Sequence, residues 1–535
     1  MTPFFFVTYR AMASNKTIGA DIFFQTVSSG SIFALWLFLI GHEEQFRIAN
    51  YANSEGETPL IVAIKGNHND MFDYLVSVMG ANVYQLGQFM WKGLDYSQVP
   101  PLFAAVLCET NIKHRIIYSL IDYDLTSNNC KPGCIDAIMS SSLTQTQKVN
   151  VLKLLGAVYI LEETESRKSV EFGLHYWSNA TSIRLEGVTS PPKPHQVSEW
   201  AGKVFGDVIE FETLVELHEI LNRPVSEDHL NLQALLIVHR VMSEICPHPC
   251  PYFSLSFLRF AESLVINHLY SRAIEVVMLS VESLRDCEWT DAIDSEWPFK
   301  VVDDCLENLR VCLSQQKNEN LALDSPNRLQ FPLMMEAFRC FSSFHSKLLI
   351  LRGDRFHLLS RQIVLKMVKC IKCLPLLNPE DSIVFKQWLS SYIALIECHP
   401  RVHTLLHAVC KFKPPVSNMI QLLLKAGACP FATDEDGLSP LFYLSHARFF
   451  NETAVRLLLN AGAHLDQLNE KGTTPLENLK SLQLQLARKN LSDPYLDSLC
   501  NTFFSLQCLC VQAISQSRIP YQNLPPGLKT FVTKH

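Results

Sequence analysis

Cys246, His248 and Cys250 stand together in CPHPC, two thiols and an imidazole within five residues. Thiolate and imidazole are zinc ligands, so the stretch could supply part of a metal site. A structural site needs a second ligand pair at a fixed spacing, and none follows. Two prolines also stiffen the intervening backbone, so loop cysteines without metal is the favoured reading. CIKC, from Cys370 to Cys373, has the spelling of a redox dithiol. No strand precedes it as that chemistry requires, and one face of a buried helix is the better reading. CKPGC, from Cys130, reads as a turn. His403 and His407 are four apart, a spacing that puts two imidazoles on one helical face. The chain has no phosphate loop, no paired-glycine dinucleotide fingerprint and no HExxH. The expectation is therefore no catalytic residue, no metal and no cofactor: a protein that contributes to reactions by holding something else.

What could do the holding is set by size and composition. The 535 residues are 48% apolar, enough for more than one core. A net charge of -7 gives no global footprint for nucleic acid. The longest apolar run, SIFALWLFLI at 31–40, is half the length of a bilayer-spanning helix, so it reads as a buried repeat helix and no membrane is expected. MTPFFFVTYR at the start lacks the basic residues of a signal peptide. Seventeen dispersed cysteines, an odd number, suit reduced thiols in the cytoplasm or also the nucleus. In that setting the sequons at Asn15, Asn179, Asn451 and Asn490 are accidental.

Periodicity supplies the architecture. TLLHAVCKF at Thr404, SPLFYLSHA at Ser439 and TTPLENLKS at Thr473 place Leu405, Pro440 and Pro475 at a constant spacing of 35. KAGACPFATDEDG and NAGAHLDQLNEKG repeat the same interval through Gly427 and Gly462. These segments resemble ankyrin repeats. Pro440 pre-sets φ at a helix start beside a hydroxyl that can cap free N–H groups. MIQLLLKAGA supplies a second helix with one apolar stripe, and Asp434, Asp436 and Gly437 suit a tight turn. His407 then reads as the histidine of a TPLH-type motif, supporting the turn. The period exceeds the ankyrin norm, which predicts small insertions between helices. NSEGETPLIVAIKGNHNDMFDYLVSVMGANVY, at 53–84, has the same signature, and VPPLFAAVLCETNIKHRIIYSLIDYDL, at 99–125, is a weaker copy. Residues 20 to 50 read as a degenerate first repeat.

Between the two ankyrin blocks, helical stripes such as VNVLKLLGAVYILEE and VVDDCLENLRVCLSQQ dominate, interrupted by loops at SPPKPH and CPHPC. Phe257, Phe260, Ala261, Leu264, Ala273, Val277 and Ser280 match the offsets of a tetratricopeptide helix pair. The expected fold class is all-α, a helical repeat solenoid. Its expected parts are degenerate N-terminal ankyrin repeats at 1–130, a helical tetratricopeptide-like centre at 131–395, C-terminal ankyrin repeats at 396–480, and a terminal segment at 481–535.

That terminal segment, SLQCLCVQAISQSRIPYQNLPPGLKTFVTKH from Ser505, carries two small apolar patterns. Leu506, Cys510 and Ile514 form one stripe across two helical turns, which on its own fits core packing as well as a partner. It also resembles an elongin-binding box. Leu524, Pro525, Leu528, Phe531 and Val532 follow in an order similar to the box through which elongin-dependent receptors select cullin-2. With these boxes behind an ankyrin block, and KVNVLKLLGAVYILEE resembling the leucine-leucine-glycine-alanine segment that joins the first stack to the centre, the chain as a whole resembles the feminization-1 (Fem) family of ubiquitin-ligase receptors. The resemblance implies a non-catalytic substrate receptor. Elongin B/C would be held through Leu506, Cys510 and Ile514, and cullin-2 through Leu524, Pro525, Leu528, Phe531 and Val532. A RING-box protein and protein substrates, recruited through C-terminal degrons in the family, complete the implied partners. The N-terminal repeats number about half of those the family carries, and its substrate-binding residues are assigned to none here. The alternative is an ankyrin-repeat scaffold without ligase assembly, whose tail caps the last repeat.

Overall fold

Asn53 begins a five-residue device that occurs three times. Its side-chain oxygen accepts from the backbone N–H groups of Glu55 (3.0 Å) and Glu57 (2.8 Å). Asp434 does the same for Asp436 and Leu438, and Asn469 for Lys471 and Thr473. In each, the residue three further on is a glycine with positive φ: Gly56 at 81°, Gly437 at 72° and Gly472 at 72°. A short polar side chain thus ties the turn from inside, and glycine supplies the left-handed step. Each finger leads into a capped helix. Thr58, Ser439 and Thr474 accept from the N–H three residues on, and proline occupies the first helical turn.

The computed structural model describes residues 16–39, 48–91, 93–108, 115–126, 133–162, 167–183, 199–222, 226–245, 251–285, 297–319, 328–350, 354–375, 377–413, 415–501 and 514. Among them are 24 helices and a single two-stranded sheet, so the chain is an all-α helical repeat solenoid. It divides into two compact units. The first comprises Met1–Ser263 and Glu275–Val301, the second Leu264–Ile274 and Val302–His535.

In the first unit, helix Lys16–Ser28 pairs with Ile32–Leu39, Pro59–Lys65 with Asn69–Ser77, and Pro101–Cys108 with Arg115–Thr126. Lys16–Ser28 packs on Pro59–Lys65, which packs on Pro101–Cys108, the stacking by which repeats hide faces they cannot bury alone. The second of these repeats departs from the finger pattern. Gly87–Trp91 and Leu94–Val99 form an antiparallel hairpin in its place, with Phe89 opposite Tyr96 and both rings against Phe103. Pro101–Cys108 has no hydroxyl cap, and all eight of its residues are buried.

Beyond this stack, Gln145–Leu161 packs closely on Arg167–Thr181 and on Ser226–Ile245. The leucine-leucine-glycine-alanine segment explains the first contact. A Cβ on Gly156 would fall 2.3 Å from the Trp177 ring and 2.8 Å from the Gly173 carbonyl. A Cβ on Gly173 would lie 2.8 Å from the Gly156 carbonyl. Two glycines therefore let the helix backbones touch, and Trp177 fills the adjoining space, its Nε1 donating to the Lys153 carbonyl at 3.0 Å. Helices Pro251–Ile266 and Tyr270–Arg285 contain the seven tetratricopeptide-offset residues, and all seven are buried.

In the second unit, Phe331–Ile350 packs on Asp354–Lys372 and Pro379–Glu397. Three helix pairs follow: Leu405–Cys410 with Ser417–Lys425, Pro440–Leu444 with Glu452–Asn460, and Pro475–Ala487 with Pro494–Cys500. First helices stack on first helices, and Ser417–Lys425 on Glu452–Asn460. No helix among the described residues is long and apolar enough to cross a membrane.

Candidate interaction site

Of the eight tail residues assigned from sequence, one lies among the described residues. Leu506, Cys510, Leu524, Pro525, Leu528, Phe531 and Val532 lie outside the described residues. Ile514 is described, helical and half-buried. Asp493 caps Pro494–Cys500 by accepting from Tyr495 and Leu496 N–H, both at 3.0 Å. Leu496, Leu499 and Cys500 are buried, and this helix packs on Pro475–Ala487. The Arg456 guanidinium lies 3.9 Å over the Tyr495 ring. Pro494–Cys500 thus completes the last helix pair, before the first box-like pattern begins.

Of the three cysteine motifs, CIKC is described in full and CKPGC only in its last two residues. Cys246, His248, Cys250 and Cys130 lie outside the described residues. Cys134 is buried, and burial, then the nearby Asp124 charge, pushes its thiol up. Cys370 is buried with its thiol donating to the Leu306 carbonyl at 3.5 Å, and burial raises its pKa as well. A raised thiol pKa disfavours the thiolate that redox and metal chemistry need.

The densest polar geometry is at the first fingers of the C-terminal block. His407 Nδ1 accepts from the Thr404 N–H at 3.1 Å, so Nε2 carries the proton and donates to the Leu438 carbonyl at 2.9 Å. One imidazole thereby caps its own helix and ties it to the next finger. Burial, then neighbouring His403, holds its pKa down at about 3. Asp434 uses Oδ1 for the turn and Oδ2 for the Tyr443 hydroxyl at 2.5 Å. Burial alone would raise this carboxyl, but contact with His403 and the Tyr443 hydroxyl hold it well below the usual range. His403 is buried, 3.4 Å from Asp434 Oδ2, and its Nδ1 makes no hydrogen bond. Lys411 Nζ stands 4.0 Å over the Tyr443 ring.

The sequence pointed to His407 and to Asp434 as a turn residue, but not to this convergence. Its signal was a second histidine and an acidic DED run, each unremarkable until the 35-residue repeat brings them together. A second cluster had no signal at all. Glu210 accepts from Lys153 (2.6 Å) and twice from Arg240 (2.6 and 2.9 Å), joining residues up to 87 positions apart within the first unit. Both clusters tie helices together, and neither presents a nucleophile beside a base.

Comparison with known proteins agrees with the architecture. The ankyrin repeat family matches residues 55–87. The mouse protein fem-1 homolog A-like is 23% identical over 500 residues, 82% of this chain and 67% of its own length. Mouse protein fem-1 homolog A-A is 23% identical over 528 residues, covering 95% of this chain and 71% of its own. Human protein fem-1 homolog C is 23% identical over 419 residues, 73% and 61% respectively. The identity is modest and constant, and the homologues are Fem-1 homologues A and C over most of the chain. Fem-1 relatives and an ankyrin repeat fit a repeat-based protein-interaction role.

Proposed function

We propose, from homology to the Fem-1 proteins, that this chain is the substrate-recognition adaptor of a cullin-2–elongin B/C RING ubiquitin-protein ligase. The reading is carried by one observation: the two box-like patterns, in order, directly behind an ankyrin block. Leu506, Cys510 and Ile514 would seat on elongin C, and Leu524, Pro525, Leu528, Phe531 and Val532 would bear on cullin-2. A supporting point comes from Pro494–Cys500. Because that helix completes the last helix pair, the box-like patterns beyond it are not needed to supply the pair's second helix.

In this role the protein performs no bond chemistry. It holds a substrate near a RING-bound ubiquitin donor and raises the effective concentration of the acceptor lysine. The ankyrin fingers and inner helices are the recognition surface, for substrates bearing C-terminal degrons, and the tetratricopeptide-like centre is a spacer between the blocks. The site of action is the cytoplasm or nucleus.

The test is co-purification. Burying Leu506 contributes about 1.5–3 kcal/mol, so Leu506→Ala weakens elongin capture by about tenfold or more. The ankyrin blocks stay folded, read by an unchanged melting transition. Removal of residues 501–535 abolishes elongin and cullin-2 capture while the rest remains soluble. Loss of solubility on removing 501–535, with no elongin captured by the intact chain, would favour the scaffold whose tail is a cap.

A further inference from the structure

His403, Asp434 and Glu435 bring one imidazole nitrogen and two carboxylate oxygens within 4.8 Å of one another. His403 and Asp434 are buried, and Glu435 stands half-buried at the edge. The spacing of the His403 Nδ1 and Asp434 Oδ2 atoms, 3.4 Å, is too long for a good hydrogen bond and about what two ligands of one small metal ion keep between them. Nδ1 is buried and makes no hydrogen bond, although buried polar atoms nearly always find a partner. Asp434 accepts from the Tyr443 hydroxyl and two turn N–H groups, bonds that favour its carboxylate form. Glu435 makes a loose 3.5 Å contact to Arg361.

We propose that His403, Asp434 and Glu435 form a site for one divalent transition-metal ion of the zinc type, linking the approach to the first C-terminal ankyrin helix with the next finger. One nitrogen and two oxygens suit zinc better than magnesium or calcium, which take oxygen alone. Three protein ligands leave a fourth position for water or for a carboxylate or imidazole from a bound protein. This departs from the sequence expectation of no metal, and it is independent of the ligase reading.

The surroundings set its limits. Lys411, whose Nζ is buried without a hydrogen bond, and Arg361 both lie close enough to act on the cluster. Their charge opposes a dication, so binding is weaker than in a closed structural zinc site. That opposition provides a diagnostic, because Lys411→Met tightens metal binding, whereas in a purely structural histidine–aspartate contact it has no metal phenotype.

The experiment is cobalt titration of the full chain after chelator treatment, followed by zinc competition. One equivalent of Co2+ gives visible d–d bands, and zinc bleaches them. Glu435→Gln weakens Co2+ binding by about 10–100-fold, as does His403→Gln, and Lys411→Met strengthens it. Glu435 is half-exposed, so Glu435→Gln remains informative if His403→Gln fails to fold. The proposal is overturned if no d–d bands form, if every band carries thiolate charge transfer from the cysteines, or if Glu435→Gln binds as tightly as the parent.

Discussion

Both units bury carboxylates, but the second also ties its helices through buried imidazoles. The first inserts carboxylates and pays their desolvation with bases: Glu210 with Lys153 and Arg240, and Glu162 with Arg259 at 2.7 Å. The second buries imidazoles that stay neutral. His345 sits between the Tyr392 hydroxyl and the Ser360 hydroxyl, both at 2.8 Å, and burial holds its pKa down at about 3. His407 is held at about 3 by burial and His403. Ion pairs lock elements by mutual attraction, and neutral imidazoles lock them by directional bonds that a single proton destroys. The same solenoid architecture therefore carries two different sensitivities to its medium.

The largest expected effect is on the ion-paired side. Glu210→Ala leaves Lys153 and Arg240 facing one another in a largely buried site, and removing one partner of such a cluster costs about 3–5 kcal/mol. Chemical denaturation of the full chain reads it as a lowered first transition. A change below about 1 kcal/mol would mean that solvent reaches the cluster and that surface-pair magnitudes apply.

How much of this was legible beforehand depends on whether a feature is local in the chain. The 35-residue spacing of Leu405, Pro440 and Pro475, the hydroxyl caps and the His407 turn contact are written within a few residues, and the all-α solenoid follows from them. The glycines of KLLGA and EFGLH are visible, yet only the structure brings Gly156 against Gly173. Long-range partners leave no such trace. Nothing near Glu210 predicts Lys153, 57 residues earlier. The hairpin at Gly87–Val99 was missed because QFMW and LDYSQV occupy a place where the repeat pattern leads one to expect a finger. The boxes of the tail were legible as patterns, and they lie outside the described residues except for Ile514.

Acidification separates the two units next. A histidine near pKa 3 when folded and about 6.5 when unfolded favours the unfolded state as soon as protons are available to it. Its stabilisation is complete above the unfolded value and is lost as pH falls towards the folded one. Each such histidine removes up to about 1.4 kcal/mol per pH unit below about 6.5. His345 and His407 together cost the second unit about 2–3 kcal/mol per unit of pH in that range. Glu210 has the opposite placement. Burial opposes its charge, but Arg240 and Lys153 outweigh this and hold its pKa below normal, so its contribution is lost only as pH falls below the ordinary carboxylate range. Hydrogen exchange at pH 7.5 and 5.5 resolves the difference. Protection falls selectively in 331–350 and 405–444, while 145–161 holds. Uniform loss across both units would end the distinction.

The smallest effect lies within the second unit, between two fingers of identical design. Asn469 serves the turn alone, accepting from Lys471 and Thr473 at the surface. Asp434 adds the buried Tyr443 hydroxyl and the His403 contact. Asn469→Ala forfeits turn bonds that water can replace, about 1 kcal/mol. Asp434→Ala forfeits the same bonds and strands a buried hydroxyl, which adds about 1–3 kcal/mol. Melting curves of the pair at neutral pH make the comparison, because the shared turn cancels in the difference. Equal losses would show that the fingers are interchangeable and that the polar cluster behind Asp434 adds nothing. A larger loss for Asp434→Ala separates its two jobs, and Asp434→Asn divides them further: the amide oxygen keeps the turn while the carboxylate charge at Tyr443 and His403 is lost.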